Sequence, residues 1–457
     1  MEGSCAGVKV QGRKVTVVGM GRSALGAVRL LLHQGARPFV TDASDGPSLA
    51  PHIAALDALG VPYETGGHGN EAFANAALVI VSPGVPPGIP PLAAARAAGI
   101  PVVGELEYAS RFLKGTLLAV TGTNGKTTVT ELLRHLIAGC GHSVALAGNN
   151  DTPLSEVALM EPQPDYVVAE VSSYQLEMCV TFHPHIAAVL NLTPDHLGRH
   201  GDMSGYAAVK AGLFARQGAG DVAVVNADDP WTKTMAVPVT VERAAFSIEG
   251  PVPDGVYASE DGFHAQAARI ATMADNPLPG KHNRANVAAA LAMVRAAGMD
   301  WERVVAALRT FRGVEHRIEP VCDIGGVPWY NDSKSTNIDS LRVALESFDR
   351  PIVLIAGGRG KGSDYGVLRD TVRNSVKTLV VIGEDAPLLE AAFGDLAPTR
   401  RAGSMAEAVR VAHAEASPGD VVLLSPGCAS FDWYANFEER GRDFKACVQR
   451  LAGGAVA

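Results

Sequence analysis

The stretch Thr121-Gly122-Thr123-Asn124-Gly125-Lys126-Thr127-Thr128 carries the most specific chemistry in the chain. Small residues let successive backbone N–H groups converge on phosphate oxygens, and a helix starting there adds the positive end of its dipole. Lys126 is then placed for the β- and γ-phosphates, and the Thr127 hydroxyl for Mg²⁺. The strict form of this phosphate loop has a glycine where this chain has Val120. Glu170 closes the apolar run Tyr166–Ala169 and leads into Val171-Ser172-Ser173-Tyr174-Gln175-Leu176-Glu177. A carboxylate at a strand's carboxyl end beside a phosphate loop can hold Mg²⁺ through oxygen; standing alone it could equally be a solvated edge glutamate. His196, in Asn191-Leu192-Thr193-Pro194-Asp195-His196, also follows an apolar run. A lone histidine there is more often structural than a ligand, and only its neighbours bring His196 to the same site.

A second glycine turn competes with the first. Gly19-x-Gly21-x-x-Ala24 follows a strand-like run, and Asp42 ends the next one, as in a dinucleotide-binding fingerprint. The same turn accepts any pyrophosphate, and Asp42 any ribose-like diol. A nicotinamide oxidoreductase would need only this block, so the phosphate loop a hundred residues later favours an enzyme that uses a nucleoside triphosphate. A nucleotide-dependent regulator is a third reading, disfavoured by the several candidate metal ligands.

The elements that must position these residues recur as short β-branched runs ending in glycine, each followed by an Ala/Leu-rich stretch, the pattern of parallel sheets with crossover helices. The first block has expected strands at Lys14–Val18, Arg37–Thr41 and Leu78–Val81, with a helix to Leu32 capped by Gly35 and another over Pro91–Ala98. The second opens with strand Thr116–Val120 and the phosphate loop, followed by a helix to about Ala138. Its later expected strands are Tyr166–Val171, Ile186–Leu192 and Val222–Val225, with a helix over Ala285–Ala297. The third has expected strands Ile352–Ala356, Leu379–Ile382 and Val421–Leu424, each running into glycine or Ser-Pro-Gly. The expected fold is α/β with three domains: a Rossmann-like one over 1–107, a central ATPase-like parallel sheet over 108–313, and a Rossmann-like one over 314–457.

Composition agrees with a globular enzyme of about three domains at roughly 150 residues each. The chain has 457 residues, 47% hydrophobic and 19% charged. A net charge of −9 argues against a nucleic-acid partner, since backbone binding needs a basic face. No apolar run approaches the roughly 18–20 residues of a membrane span, and Met1–Gln11 lacks a signal-peptide pattern, so no membrane partner and a cytoplasmic location are expected. Six scattered cysteines form no CxxC pair and suggest neither a zinc site nor a disulfide framework.

Taken together, these motifs resemble the Mur ligases. The resemblance rests on 121–128, on Glu170–Glu177 and Asn191–Leu197, on Tyr206-x-x-x-Lys210 and Lys281-His282-Asn283-Arg284-Ala285-Asn286, and on Glu315-His316-Arg317. It runs from about Gly19 to Phe444. Ser82-Pro83-Gly84-Val85, Gly104-Glu105-Leu106-Glu107, Tyr330–Asn337 and the string from Leu424 to Gly441 are similar to the D-glutamate-adding branch of the family. The Asp-Asn-Pro-Arg string of the diamino-acid adders is absent.

The resemblance implies an ATP-dependent ligase that phosphorylates the carboxylate of UDP-N-acetylmuramoyl-L-alanine and lets the amine of D-glutamate displace the phosphate. It implies that Gly122, Thr123, Asn124, Gly125, Lys126, Thr127 and Thr128 bind ATP together with Asn283 (adenine), Arg317 (phosphate) and Asp332 (ribose). Two Mg²⁺ ions would be held by Thr127, Glu170, His196 and a carbamylated Lys210, with Lys334 near the reacting phosphate and His316 less defined. Gly21, Ser23, Asp42, Ser82, Gly84 and Asn149 would face the UDP-sugar. Thr336, Lys361, Ser430, Phe431 and Phe437 would cradle D-glutamate, although Lys361 in its glycine loop could equally contact phosphate. The chain departs from the family pattern at Asp151, where a glycine is usual, and at Gly198, where an aspartate often follows the histidine. A monomer is expected.

Overall fold

The computed structural model describes residues 8–150, 152–266, 268–360, 362 and 364–454. Three sheets are present among them. The first contains β1 (Lys14–Val18), β2 (Arg37–Thr41), β3 (Tyr63–Glu64), β4 (Leu78–Val81) and β5 (Val102–Gly104), in the order β3-β2-β1-β4-β5. Every pairing is parallel. Its near-continuous Val/Ile/Leu strands are buried on both faces, as crossover helices require. Strand order reverses beside β1, so the glycine turn after Val18 opens at the crevice where such sheets bind ligands. The helix Arg22–His33 ends at Gln34, and Gly35, the next residue, takes the left-handed conformation (φ +70°) that the expected cap needed.

The second sheet holds β6 (Thr116–Thr121), β7 (Val144–Gly148), β8 (Tyr166–Glu170), β9 (Ile186–Val189), β10 (Val222–Asn226), β11 (Glu242–Ser247), β12 (Gly255–Ala258), β13 (Gly262–Ala265) and β14 (Ala268–Thr272). The order is β14-β13-β12-β11-β10-β9-β6-β8-β7. Strands β6 to β12 are parallel, while β12–β13 and β13–β14 are antiparallel. That antiparallel edge goes beyond the expected parallel sheet; Asp261-Gly262, where β13 begins, is the turn signal that marks it in sequence.

The third sheet contains β15 (Glu319–Ile324), β16 (Val327–Asn331), β17 (Ile352–Gly357), β18 (Val376–Ile382), β19 (Thr399–Arg401) and β20 (Val421–Leu424), ordered β15-β16-β20-β17-β18-β19. It is parallel except for the β15–β16 hairpin. Gly325 and Gly326 turn that hairpin with φ of +63° and +83°, the two positive values a tight primed turn demands.

The chain forms two compact units. Met1–Asp275 with Ala285–Arg309 carries the first two sheets, and Asn276–Arg284 with Thr310–Ala457 carries the third. The helix Lys281–Ala296 therefore begins in one unit and continues in the other. No helix of the described residues is long and apolar enough to cross a membrane.

Candidate active site

The phosphate loop leaves β6 and enters the helix Lys126–Gly139 through two glycines with positive φ, Gly122 (+153°) and Gly125 (+87°). At Gly125 a Cβ would collide with Asn286 Oδ1, so glycine is required by both conformation and space. The Asn191 segment braces the loop: Asn124 N donates to Asn191 Oδ1 (2.8 Å), Asn191 Nδ2 returns a bond to Asn124 O (3.0 Å), and Thr123 N donates to Asn191 O (2.9 Å). Lys126 Nζ folds back onto the Gly122 and Thr123 carbonyls, both at 2.9 Å. Thr127 and Thr128 stand in the helix's first turn.

Lys210, on the helix Met203–Ala211, reaches the same loop although it is buried to 1% exposure. Its Nζ donates to Thr121 Oγ1 (3.1 Å) and Gly122 O (3.0 Å) and lies 4.7 Å from the centroid of the Tyr206 ring. Burial, reinforced by the nearby Lys126 cation, pushes its pKa down to about 7. Glu170 ends β8 opposite Val120 of β6 and is buried. Asn149 holds it twice, donating from N to Glu170 O (2.7 Å) and from Nδ2 to Oε1 (3.1 Å).

His196 takes a left-handed φ of +53°, its Nδ1 lies 3.2 Å from the Tyr174 hydroxyl, and its Nε2 lies 3.4 Å from Asp195 Oδ2. An aromatic column links it to Lys210: Tyr174 packs on His196 and on His200, and His200 packs on Tyr206. The His200 ring is held at both nitrogens, near Ser173 Oγ (3.0 Å) and Glu177 Oε1 (3.2 Å), and burial lowers its pKa. Arg199 pairs with Glu177 and covers the Tyr174 ring. Sequence reasoning singled out none of Tyr174, Arg199, His200 or Tyr206 for a role. The helical spacing of His196, His200 and Tyr206, Lys210 was the available signal.

In the first sheet, Gly21 caps the helix that carries Ser23. Asp42 Oδ2 accepts from Met20 N (2.7 Å) and so braces the glycine turn, while its Oδ1 accepts from Ser44 N (2.8 Å) in its own loop. Ser82 Oγ is buried without a hydrogen-bond partner beside Gly19, and Gly84 has open space where a Cβ would stand. Ser82 thus has an unsatisfied hydroxyl of the kind a polar ligand would serve.

The second unit carries the remaining candidates. Asp332, fully buried, accepts from Ile318 N (3.2 Å) and Ser425 Oγ (2.8 Å), and burial pushes its pKa up to about 7. Asn283 Nδ2 donates to Pro279 O (2.7 Å). His316 and Arg317 lie on a strained turn (His316 φ +64°), and Lys334 N donates to His316 O (3.0 Å). Lys334 Nζ lies 5.3 Å from the centroid of the Phe437 ring. Ser430 is buried, Thr336 is half-buried and Phe431 is 62% exposed. Lys361 and Asp151 lie outside the described residues. Arg440, missed in sequence because a charged helical residue reads as surface, is buried to 1% exposure. It donates to Ser333 Oγ and O (3.0 and 2.9 Å) and to the carbonyls of Cys428 (3.0 Å) and Ala429 (3.2 Å), clasping the loops that carry Asp332 and Ser430.

Two other groupings resemble sites and are not. Glu315, His316 and Glu319 are spaced to hold a cation, but Lys445 Nζ fills that place, donating to Glu315 (2.6 Å) and Glu319 (2.8 Å). Ser259, Asp261 and His264 converge on a single nitrogen, His264 Nε2, so the aspartate cannot orient the opposite ring nitrogen as nucleophile activation requires.

Profiles of three families match in sequence order: the Mur ligase MurD-like N-terminal domain at 13–104, the Mur ligase middle domain at 120–294 and the Mur ligase glutamate ligase domain at 316–428. The UDP-N-acetylmuramoylalanine–D-glutamate ligase of Anaeromyxobacter dehalogenans is 44% identical over 464 residues, with 98% of this chain and 100% of that protein covered. The protein of the same name from Acidobacterium capsulatum is 41% identical, with 98% and 99% covered. Among solved structures, the UDP-N-acetylmuramate-alanine ligase of Thermotoga maritima aligns at a TM-score of 0.57 with 21% identity, covering 96% of this chain and 100% of that one. MurF from Acinetobacter baumannii aligns at 0.58 with 20% identity, covering 82% and 87%. These last two likenesses concern the fold.

Proposed function

This chain belongs to the Mur ligase family, and from that premise we propose that it joins D-glutamate to UDP-N-acetylmuramoyl-L-alanine with ATP, in peptidoglycan precursor synthesis. The observation that carries the reading is near-full-length identity of 41–44% to ligases of that name. It is supported by the convergence of Lys126 and Lys210 on the phosphate loop.

A carboxylate is a poor electrophile at neutral pH, so a carboxylate oxygen first takes the γ-phosphoryl group of ATP as the P–O bond to the departing ADP breaks. The amine of D-glutamate then attacks the acyl phosphate carbon, phosphate leaves with the C–O bonding pair, and the amine loses a proton. The protein's task is placement and charge neutralisation. The backbone of 122–128 receives the triphosphate, and Lys126 exchanges its two loop carbonyls for phosphate oxygens. Glu170, aimed by Asn149, and His196, aimed by Tyr174, provide the oxygen and nitrogen donors for divalent cations, with Thr127.

An ammonium at Lys210 would repel such ions. A pKa near 7 leaves much of Lys210 as free amine at neutral pH, which can take up CO₂ and become a carbamate with the anionic oxygens a cation site needs. Such a carbamate, with Thr127, Glu170 and His196, would give the donor types that two Mg²⁺ ions take. A divalent cation held by these residues would supply Lewis-acid neutralisation of the phosphate charge. The packing of Lys210 on Tyr206 would hold the carbamate oxygens against the loop.

Asn283, Arg317 and Asp332 are assigned to the nucleotide, and Lys334 to the transferring phosphate. Ser430, Thr336, Lys361, Phe431 and Phe437 are assigned to D-glutamate, and Gly21, Ser23, Asp42, Ser82, Gly84 and Asn149 to the UDP-sugar. The domain limits 1–107, 108–313 and 314–457, a monomeric state and a cytoplasmic location belong to the same proposal. The test is phosphate release from ATP and Mg²⁺ in the presence of UDP-N-acetylmuramoyl-L-alanine, with amino acids supplied singly. Release that depends on D-glutamate supports the reading; release with L-alanine or a diamino acid instead refutes it.

A further inference from the structure

The string Gly104-Glu105-Leu106-Glu107 has no task in the chemistry above. Glu105 and Glu107 are nevertheless both buried, on the short helix Glu105–Ser110 that leaves the first sheet. Burying a carboxyl is costly unless it is bonded, so its partners show what it is kept for. Glu107 accepts from Val180 N (3.0 Å), Thr181 N (2.9 Å) and the Thr181 hydroxyl, and pairs with Arg111 (2.7 Å). Although burial opposes it, these bonds hold its pKa below the usual carboxylate range. Beside it, Gly104 N donates to Met178 O (3.1 Å). This carboxylate staples the exit of the first sheet to the segment that follows Glu170–Glu177.

Glu105 is different. Its Oε1 accepts from both Ser155 N (2.7 Å) and Ser155 Oγ (2.6 Å), and its Oε2 is buried without a partner. Burial raises its pKa. Ser155 lies in the helix Leu154–Ala158, and just before that helix Thr152 O accepts from Gly148 N (2.9 Å). Next to Gly148 is Asn149, whose side chain holds Glu170 Oε1. On its other side Ser155 meets the UDP-binding helix: a Cβ on Gly26 would collide with Ser155 Oγ, and Arg29 pairs with Glu156. One carboxyl group thus supports a short path from the first sheet to the Glu170 carboxylate.

We infer that Glu105 is a positioning residue: its two hydrogen bonds to Ser155 hold Ser155 and, through the Gly148–Thr152 bond, Asn149 in place, so that Asn149 aims Glu170 and the helix behind the UDP-binding turn keeps its place beside it. The inference rests on the ligase reading for what Glu170 does, but the chain of contacts is independent of it. Because Oε1 alone accepts both bonds, the carbonyl oxygen of a glutamine should replace it, and truncation should act on the reaction without removing any atom from the active site.

The experiment compares Glu105→Gln, Glu105→Ala and a core control, Val28→Ala, by steady-state kinetics at varied Mg²⁺ and by hydrogen exchange of the ligand-free proteins. Glu105→Gln is expected to match the parent. Glu105→Ala is expected to lose about 10²-fold in kcat, the scale of an ångström-level misplacement, and to need more Mg²⁺ for half-maximal rate, with the KM for D-glutamate unchanged. Its Asn149 and Ser155 amides should exchange faster. Val28→Ala should lose stability without altering the Mg²⁺ dependence. Parent-like kinetics in Glu105→Ala overturn the inference. So does equal damage in Glu105→Gln, or a shifted Mg²⁺ dependence in the core control. If Glu105→Ala does not fold, Ser155→Ala removes one of the two donors, and an unchanged kcat there overturns it instead. Absence of D-glutamate-dependent turnover in the parent would refute the ligase reading while leaving the hydrogen-exchange result to judge the contact chain.

Discussion

Lys126 and Lys210 donate to one oxygen, the carbonyl of Gly122, at 2.9 and 3.0 Å. Burial first, and repulsion by the neighbouring Lys126 cation second, push the Lys210 pKa down to about 7. Carbamylation would convert that repulsion into attraction, which gives the pairing a chemical purpose.

Lys210→Ala is expected to cut turnover by at least about 10²-fold, the scale of losing one preorganised charge contact. Acetate or formate should partly restore the rate by supplying the missing oxygens. Near-normal activity, or no response to either anion, would remove Lys210 from the site. Stability gives a second readout. The folded pKa of Lys210 lies below its ordinary 10.5, so in CO₂-free buffer the unfolded chain binds more protons between about pH 7 and 10.5. The parent's stability relative to Lys210→Met should therefore rise with pH across that window and be lowest beneath it. A pH-independent difference would contradict the burial argument.

Asp332 titrates the opposite way. Its folded pKa, about 7, lies above the ordinary 3.8, so the neutral acid is stabilising at low pH and that contribution is lost as pH rises through 7. Asp332→Asn should flatten the unfolding free energy between pH 4 and 7 relative to the parent. Parallel denaturation curves across that range would show that Asp332 ionises normally.

Arg440→Met should destabilise the protein by about 3 kcal/mol, because the Cys428, Ala429 and Ser333 acceptors lose a buried donor together. Arg440→Lys should recover only part of it, since an ammonium cannot span the fork geometry. Full recovery of the melting temperature by lysine would argue that charge alone matters.

Gly125→Ala should abolish nucleotide binding, measured by calorimetry with a non-hydrolysable ATP analogue. The added methyl meets Asn286 Oδ1 on a backbone at φ +87°. Unimpaired affinity would mean that the loop can rearrange at no cost.

Lys361→Ala should raise the KM for D-glutamate far more than that for ATP. Equal increases would reassign the lysine to the nucleotide.

The sequence alone determined the parts whose cause is local. Glycines at strand ends, alternating apolar runs and the 121–128 loop are written in consecutive residues, and β1, β2, β4 and β20 fall where their side chains placed them. Lys126 and Glu170 were recognisable for the same reason. Only the tertiary structure decided what lies between distant segments. The Lys210 bond to Gly122 spans 88 positions and that of Glu105 to Ser155 spans 50. Arg440 reaches 107 residues back to Ser333. Whether a lysine is an ordinary surface cation or a half-neutral amine, and whether a glutamate is solvated or a buried strut, depends on burial and partners. Those are properties of the packed chain, and no window of neighbouring residues contains them.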